Sequence, residues 1–325
     1  MGKARNYIPA LAFGHKIYPE DIAGMVGLPH VGNVFYIDPN SGSDTANAGK
    51  SQNDAFKTVT AYYAAAVSGN HDVGIIAPSG GTGRTAETAS ITWAKRFTHL
   101  IGSAAPTAQD VRAGVGMAAS TVFTISENGC LFKNLTFTQT ADVNEPVTIT
   151  GDYNSFLGVD FKGSLNATTG DDADMRCLNL DGGQENYFGG CTLGQDTIMR
   201  GGAANATLEF ENAASRNVFD DCRFIAAIDG ATPTHILFTG TSAIDRWAEF
   251  KDTNFYSFSS NNVTAMTACM NLSAQTATGH VLLTGNCCMM GGITDWEATA
   301  SGRIYIQGYT NTTNVIGIAI NPAVS

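Results

Sequence analysis

The side chains with the most chemical potential in this chain are acidic. Asp221 and Asp252 hold equivalent places in Phe219-Asp-Asp-Cys222 and Phe250-Lys-Asp-Thr253, 31 residues apart in sequence. Retaining glycoside hydrolysis needs two carboxyl groups about 5–5.5 Å apart, and inverting hydrolysis about 6.5–9.5 Å. On adjacent turns of a coil the two Asp would lie ~5 Å apart, close to the spacing of neighbouring strands. Aspartate is also common at bends, where its side chain accepts local backbone N–H groups. That second reading is the expected one, so no catalytic residue is assigned and Asp221 and Asp252 stand only as the alternative. Asp160 and Arg223 would share one outward column, two coils apart. Asp171-Asp172-Ala-Asp174 offers oxygen ligands but no known calcium loop frame, and is expected to be a solvated loop. The histidines at 15, 30, 71, 99, 235 and 280 are scattered without metal-ligand spacing. Cys287 and Cys288, adjacent in a strand, should point to opposite faces. No phosphate-binding glycine motif is present. Neither a metal nor a cofactor is expected.

Composition narrows the classes. The chain has 325 residues, 43% of them hydrophobic and only 14% charged, with 36 Gly and 9 Pro. Abundant Gly with scarce Pro suits many tight turns between short strands. The net charge of −11 argues against nucleic acid or an anionic membrane as partner. No apolar stretch is long enough to span a membrane. The apolar patch near the N-terminus is broken by Pro9, His15 and Lys16, which makes a poor signal-peptide core. Seven cysteines without paired spacing read as reduced core thiols of a protein folded in cytoplasm.

The positioning elements come from an internal repeat. The pattern Phe-x-x-Φ-x-Φ, with Φ apolar or Cys, begins at Phe132, Phe156, Phe188, Phe219 and Phe250, with Thr253 in one Φ slot and a looser copy near Leu283. Asn154, Asn186 and Asn217 each precede the Phe by two residues. Alternating segments precede the copies: Val147–Gly151, Leu178–Gly182, Leu208–Asn212 and Ile236–Gly240. Period-two alternation buries one face of a strand, and the turn formers inside the repeat mark a bend. Strand, bend and strand at fixed period predict an all-β fold, a right-handed parallel β-helix of nine or ten coils. Cys191 should lie over Cys222, and Cys177 and Cys269 should share another column.

The first third differs. Residues 54–67 carry apolar side chains at helical spacing and predict a capping helix that covers the first coil. Residues 1–30 lie outside the repeat and form a candidate arm. Tyr7, Ile8, Leu11, Phe13, Ile17 and Tyr18 are too apolar for a free tail and are the candidate partner-binding residues. The domain division is therefore arm 1–30 and a single β-helix domain 31–325.

Tyr36-Ile37-Asp38-Pro39-Asn40, Gly42-Ser43-Asp44, Gly49-Lys50-Ser51 and Ala55-Phe56-Lys57-Thr58-Val59 resemble the opening cassette of pectate-lyase-like right-handed β-helix proteins. Ile75 to Gly81 and His99 to Gly102 continue the likeness, which spans roughly residues 34–320. The resemblance implies the fold and little about activity, because this fold hosts lyases, hydrolases, adhesins and virus spikes. With an arm and no signal peptide, it resembles bacteriophage virion proteins, of the decoration or spike kind. The expectation is a non-enzymatic, trimeric capsid decoration or cement protein, or a spike. It would be anchored to other virion proteins by the arm and assembled in the host cytoplasm. The alternatives are a tailspike-like depolymerase acting on a bacterial surface glycan through Asp221 and Asp252, or a glycan-binding adhesin using Trp247, Tyr256 and Trp296.

Overall fold

The computed structural model describes residues 32–307, apart from 79–80, 82, 260–263, 277, 298 and 300. The candidate arm and its six apolar residues lie outside the described residues. The strands form three sheets. Sheet 1 has ten strands, from Val34–Ile37 to Ile304–Ile306. Sheet 2 has eight, from Arg84–Glu87 to Cys288–Gly291, and sheet 3 has eight, from Ile91–Trp93 to Ile293–Glu297. Neighbours within each sheet pair in parallel and, apart from the consecutive first pair Val34–Ile37 and Val73–Ile76, are three strands apart in the chain. The backbone therefore visits each sheet once per coil, as in Tyr187–Gly189, Thr192–Arg200 and Ala206–Glu211. This is a parallel β-helix.

Register puts like residues in columns. Phe132, Phe156, Phe188, Phe219, Phe250 and Leu283 are successive partners in sheet 1. The Phe rings stack nearly parallel, with centroids 4.4 Å apart for Phe188 and Phe219. Each coil alone would expose this ring; stacking buries it against its copies, which is why the repeat is stable only as an array. Cys177, Thr207, His235 and Cys269 fall into one interior column through the sheet 3 register.

The repeated Asn is a buried ladder. Asn154, Asn186 and Asn217 accept the backbone N–H groups of Cys130, Asn154 and Asn186, each at 2.9 Å. Their amide nitrogens donate to the carbonyls of Glu127, Gly151 and Gly183. Each side chain thus satisfies two backbone groups at the corner entering sheet 1, where no strand partner is available.

The bend between sheets 1 and 2 needs one left-handed residue. Asn134, Gly158, Gly190, Asp221 and Asp252 fill it, with φ between 48° and 61°. Gly, Asn and Asp tolerate that conformation at least cost. The next residue turns inward, and in later coils its hydrogen goes to the carbonyl of the preceding coil's Phe. Cys191 donates to Phe156, Cys222 to Phe188 and Thr253 to Phe219, and Cys287, two residues after the left-handed Gly285, donates to Phe250.

The helix expected over 54–67 is shorter. A 3-10 turn occupies Gln52–Asp54 and the α-helix runs from Val59 to Ala65. Phe56 instead bridges Ile37 in an extended segment, and Asp44 accepts from the Lys57 and Thr58 backbone. Thr58 caps the helix by accepting from the Ala61 N–H. Tyr62 lies over Gly74, where a Cβ would sit 2.6 Å from the ring.

Candidate functional site

Outward positions of sheet 3 bring together the first candidate cluster. Asn179 and Glu209 are register partners, as are Asp181 and Glu211. Asn179 Nδ2 donates to Glu211 Oε1 at 2.6 Å and reaches Glu145 Oε2 at 3.4 Å. One amide therefore holds two carboxyl groups from separate coils as neighbours. Asn179 is buried, and its Oδ1 has no protein partner. Arg176 pairs with Glu209 at 2.6 Å, both nearly fully buried, and Thr239 also donates to Glu209. Burial pushes the Glu145 carboxyl up, reinforced by the charges of Glu209 and Glu211 and opposed by the Asn179 hydrogen bond and by Arg176. A carboxyl whose affinity for its proton is raised by burial and neighbouring carboxyl groups is the pattern used for proton donation to a leaving oxygen. Glu145 lies in a loop, and its partners arrive only through the stacking of coils.

The second cluster lies on sheet 2. Asp160 and Thr192 are register partners, and Arg223 follows one coil on, so the column expected from sequence is present. Asp160 is buried, although it alternates away from the core Phe161. The cover is the loop 103–113, which replaces the single-residue bend of other coils. Its Asp110 N–H donates to Asp160 Oδ2 at 2.5 Å. Its Val111 and Ala108 carbonyls accept from Thr136 and Thr192. Arg84 pairs with Asp110, and Lys162 and Arg112 each lie 3.7 Å from it. Desolvation lifts the Asp160 carboxyl to about 7, against the opposing pull of Lys162 and Arg84. Three cations thus converge on one carboxylate supplied by the protein's own loop.

Asp221 and Asp252 do share a column, as expected, but as bend residues. Asp252 Oδ1 accepts from the Asn286 N–H at 2.8 Å. Asp221 is exposed, and its backbone N–H donates to the Lys251 carbonyl. No groups able to hold a metal ion occur among the described residues, and Asp171 and Asp172 act through their backbones in turns. Of the aromatic candidates, Trp296 is buried against Phe255, and Trp247 and Tyr256 are half-buried. Among the described residues the exposed aromatics are Phe97, Tyr153, Tyr187 and Phe258.

Five of the thiols are buried, and Cys287 and Cys288 are half-buried, the latter donating outward to Asn254. Burial pushes Cys177 up to about 11, so its thiol stays protonated near neutral pH, and pushes His235 down to about 3, so its imidazole stays neutral there. His71 and His99, scattered in sequence, meet with ring nitrogens 3.2 Å apart.

The sequence signal for the sheet 3 cluster was available: the polar slots of Leu178-Asn-Leu-Asp and Leu208-Glu-Phe-Glu face outward together. Glu145 and Asp110 carried no such signal, because each sits in an aperiodic loop.

No family model matches the chain, and no curated protein matches it. Solved structures do. The chain resembles pectate lyase Pel9A, with a TM-score of 0.59 and 15% identity, covering 88% of this chain and 72% of that one. It also resembles a pectin methylesterase in complex with a hexasaccharide, with a TM-score of 0.55 and 14% identity, covering 84% and 92%. At this identity the likeness establishes the fold class, a pectate-lyase-like parallel β-helix, and nothing about activity.

Proposed function

We propose that the protein is a non-catalytic structural component of a bacteriophage particle, a trimeric capsid decoration or spike protein. The observation that supports this reading best is the loop 103–113. It lies across the outer face of sheet 2 and fills the Arg84, Arg112 and Lys162 cluster with Asp110. A ligand groove would leave such charges open; here they brace the coils against one another. Two further carboxylates are used structurally, Glu209 on Arg176 and Asp252 on a bend. In this reading the short helix Val59–Ala65 would serve as a cap on the first coils, which would protect that end of the solenoid from edge pairing. The test is co-sedimentation of tagged protein with particles of the phage whose genome encodes it, at native stoichiometry. Absence from purified particles refutes the reading.

A second reading rests on Glu145: a glycan depolymerase with Glu145 as proton donor and Glu211 as its carboxylate partner. Release of reducing ends from host capsule or lipopolysaccharide, lost in Glu145→Gln with the fold retained, would support it. No release by the native protein would exclude it for those glycans.

A further inference from the structure

We propose that the His71–His99 pair is an acid-sensitive latch on the first coils, and that a proton taken up by the pair opens the sheet 1 rung between the strands His99–Gly102 and Leu131–Lys133. This inference goes beyond the function proposed above and holds whether or not the protein joins a particle.

The rung differs from its neighbours in its acceptor. Leu131, Ser155, Tyr187 and Val218 hold the same register position on successive strands of sheet 1. The N–H groups of Ser155, Tyr187 and Val218 donate to the backbone carbonyls of Cys130, Asn154 and Asn186, at 2.9, 2.9 and 3.0 Å. The Leu131 N–H donates instead to Nδ1 of the His99 ring, at 3.0 Å. One rung of this row is therefore carried by a side chain that titrates.

That bond fixes both tautomers. Because His99 Nδ1 accepts, the neutral ring carries its proton on Nε2. This proton points to His71 Nδ1, 3.2 Å away, so His71 carries its own on Nε2. Two neutral imidazoles hold two ring protons, and the two bonds leave room for two. A third proton on His99 Nδ1 faces the Leu131 N–H, donor against donor. A third proton on His71 Nδ1 faces the His99 Nε2–H in the same way. His99 relieves that clash by moving its proton to Nδ1 and accepting from the His71 cation. Such a charge-assisted bond is about twice as strong as a neutral one, so the Leu131 bond is again the one lost.

The surroundings give the latch its sign. His99 is 1% exposed, and half-buried His71 is the ring that a proton reaches from solvent. Burial holds His99 down to about 4, with the charge of His71 adding to the effect and Asp72 opposing it. The Asp72 carboxylate is engaged by the Asn33 and Val67 N–H groups and the Asn70 amide. The Tyr62 hydroxyl donates to the His99 carbonyl, the Cys130 thiol to the Lys95 carbonyl, and the Lys95 ammonium to the Tyr63 and Ala66 carbonyls. An opened corner frees a histidine of ordinary value 6.5. The closed corner thus keeps its full stability above that pH and loses it as pH falls toward 4. The strands affected lie where the described chain begins, since the Gly32 N–H donates to the His71 carbonyl and the His99 N–H to the Asp72 carbonyl, both at 2.9 Å.

The test is amide hydrogen exchange of the full chain between pH 8 and 5, corrected for the intrinsic rate at each pH. It is read at Leu131 and at Ser155, the register neighbour whose acceptor is a carbonyl. Nitrogen-15 spectra of the histidine rings are recorded on the same samples. The expected result is an unprotonated His99 Nδ1 at pH 8. Exchange at Leu131 should then rise about tenfold from pH 6.5 to 5 while Ser155 stays constant. In His99→Gln, whose side-chain oxygen accepts but does not titrate, the rise should vanish. A protonated His99 Nδ1 at pH 8 would overturn the proposal. A Leu131 amide as steady as Ser155, or a rise that survives in His99→Gln, would overturn it as well. The ring spectra and the Leu131 exchange use the native protein, so they decide the question even if the variant does not fold.

Discussion

Asp160 accepts the backbone N–H of Asp110, 50 residues away in the chain, at 2.5 Å. The bond ties a loop from one coil to a strand two coils further on in sheet 2. It is made to a carboxylate that Lys162 and Arg84 surround and that burial holds near a pKa of about 7.

This raised value fixes a pH dependence. The folded state keeps the Asp160 proton to higher pH than the unfolded chain, whose carboxylate has the ordinary value of 3.8. The stabilisation is complete below about pH 4 and is lost as pH rises through about 7, by at most roughly 4 kcal/mol. Arg84, Arg112, Lys162, Asp110 and Asp196 face the same cluster and moderate it. Asp160→Asn, which still accepts the Asp110 N–H, should flatten the stability curve between pH 4 and 7. Denaturant midpoints across that range check it.

Asn186→Ala should be among the costliest polar substitutions in the chain. It orphans the Asn154 N–H and the Gly151 carbonyl at a buried corner. The expected loss is about 2–4 kcal/mol, read by chemical denaturation. Asn70, which bonds Asp72 near the surface, gives a smaller effect on replacement with Ala.

Phe219 lies between Phe188 and Phe250, with ring centroids 4.4 and 4.9 Å away. Phe219→Ala should cost about 3–5 kcal/mol. Phe219→Leu should cost less than half of that, because much of the buried volume is kept. Thermal denaturation of the two variants separates them.

Asp221 serves its conformation more than its charge. Its φ is 52°, and Gly190 occupies the same bend one coil earlier. Asp221→Gly should leave stability within about 0.5 kcal/mol of the native value. Asp221→Val should lose about 1–2 kcal/mol, since a β-branched residue is strained there. Equal stability of the two variants would refute the bend role.

The Phe column and the bends were legible in sequence because each coil repeats them at nearly constant spacing, so Phe156, Phe188, Phe219 and Phe250 announce their own stacking. The Asn at 154, 186 and 217 was visible as a pattern, but its double hydrogen bond was not, since the partners belong to neighbouring coils. The helix starts at its cap residue Thr58 rather than at Asp54 because Phe56 pairs with Ile37 in preference to joining the helical face. Glu145 and Asp110 could not be placed, as both sit in loops whose path no periodicity sets. The same holds for His71 and His99, which lie in coils outside the Phe repeat.

The central claim is that successive coils stack in register around one axis. Thr124 and Thr148 are paired on adjacent strands of sheet 3, both half-buried on the outer face. Cα atoms on such neighbours are close enough for a disulfide. The direct measurement is oxidation of Thr124→Cys with Thr148→Cys, beside Thr124→Cys with Asn179→Cys two coils apart, followed by peptide mapping. The stacked coil predicts a 124–148 disulfide in the folded protein and none between 124 and 179. A 124–179 link, or no link in either variant, would contradict it.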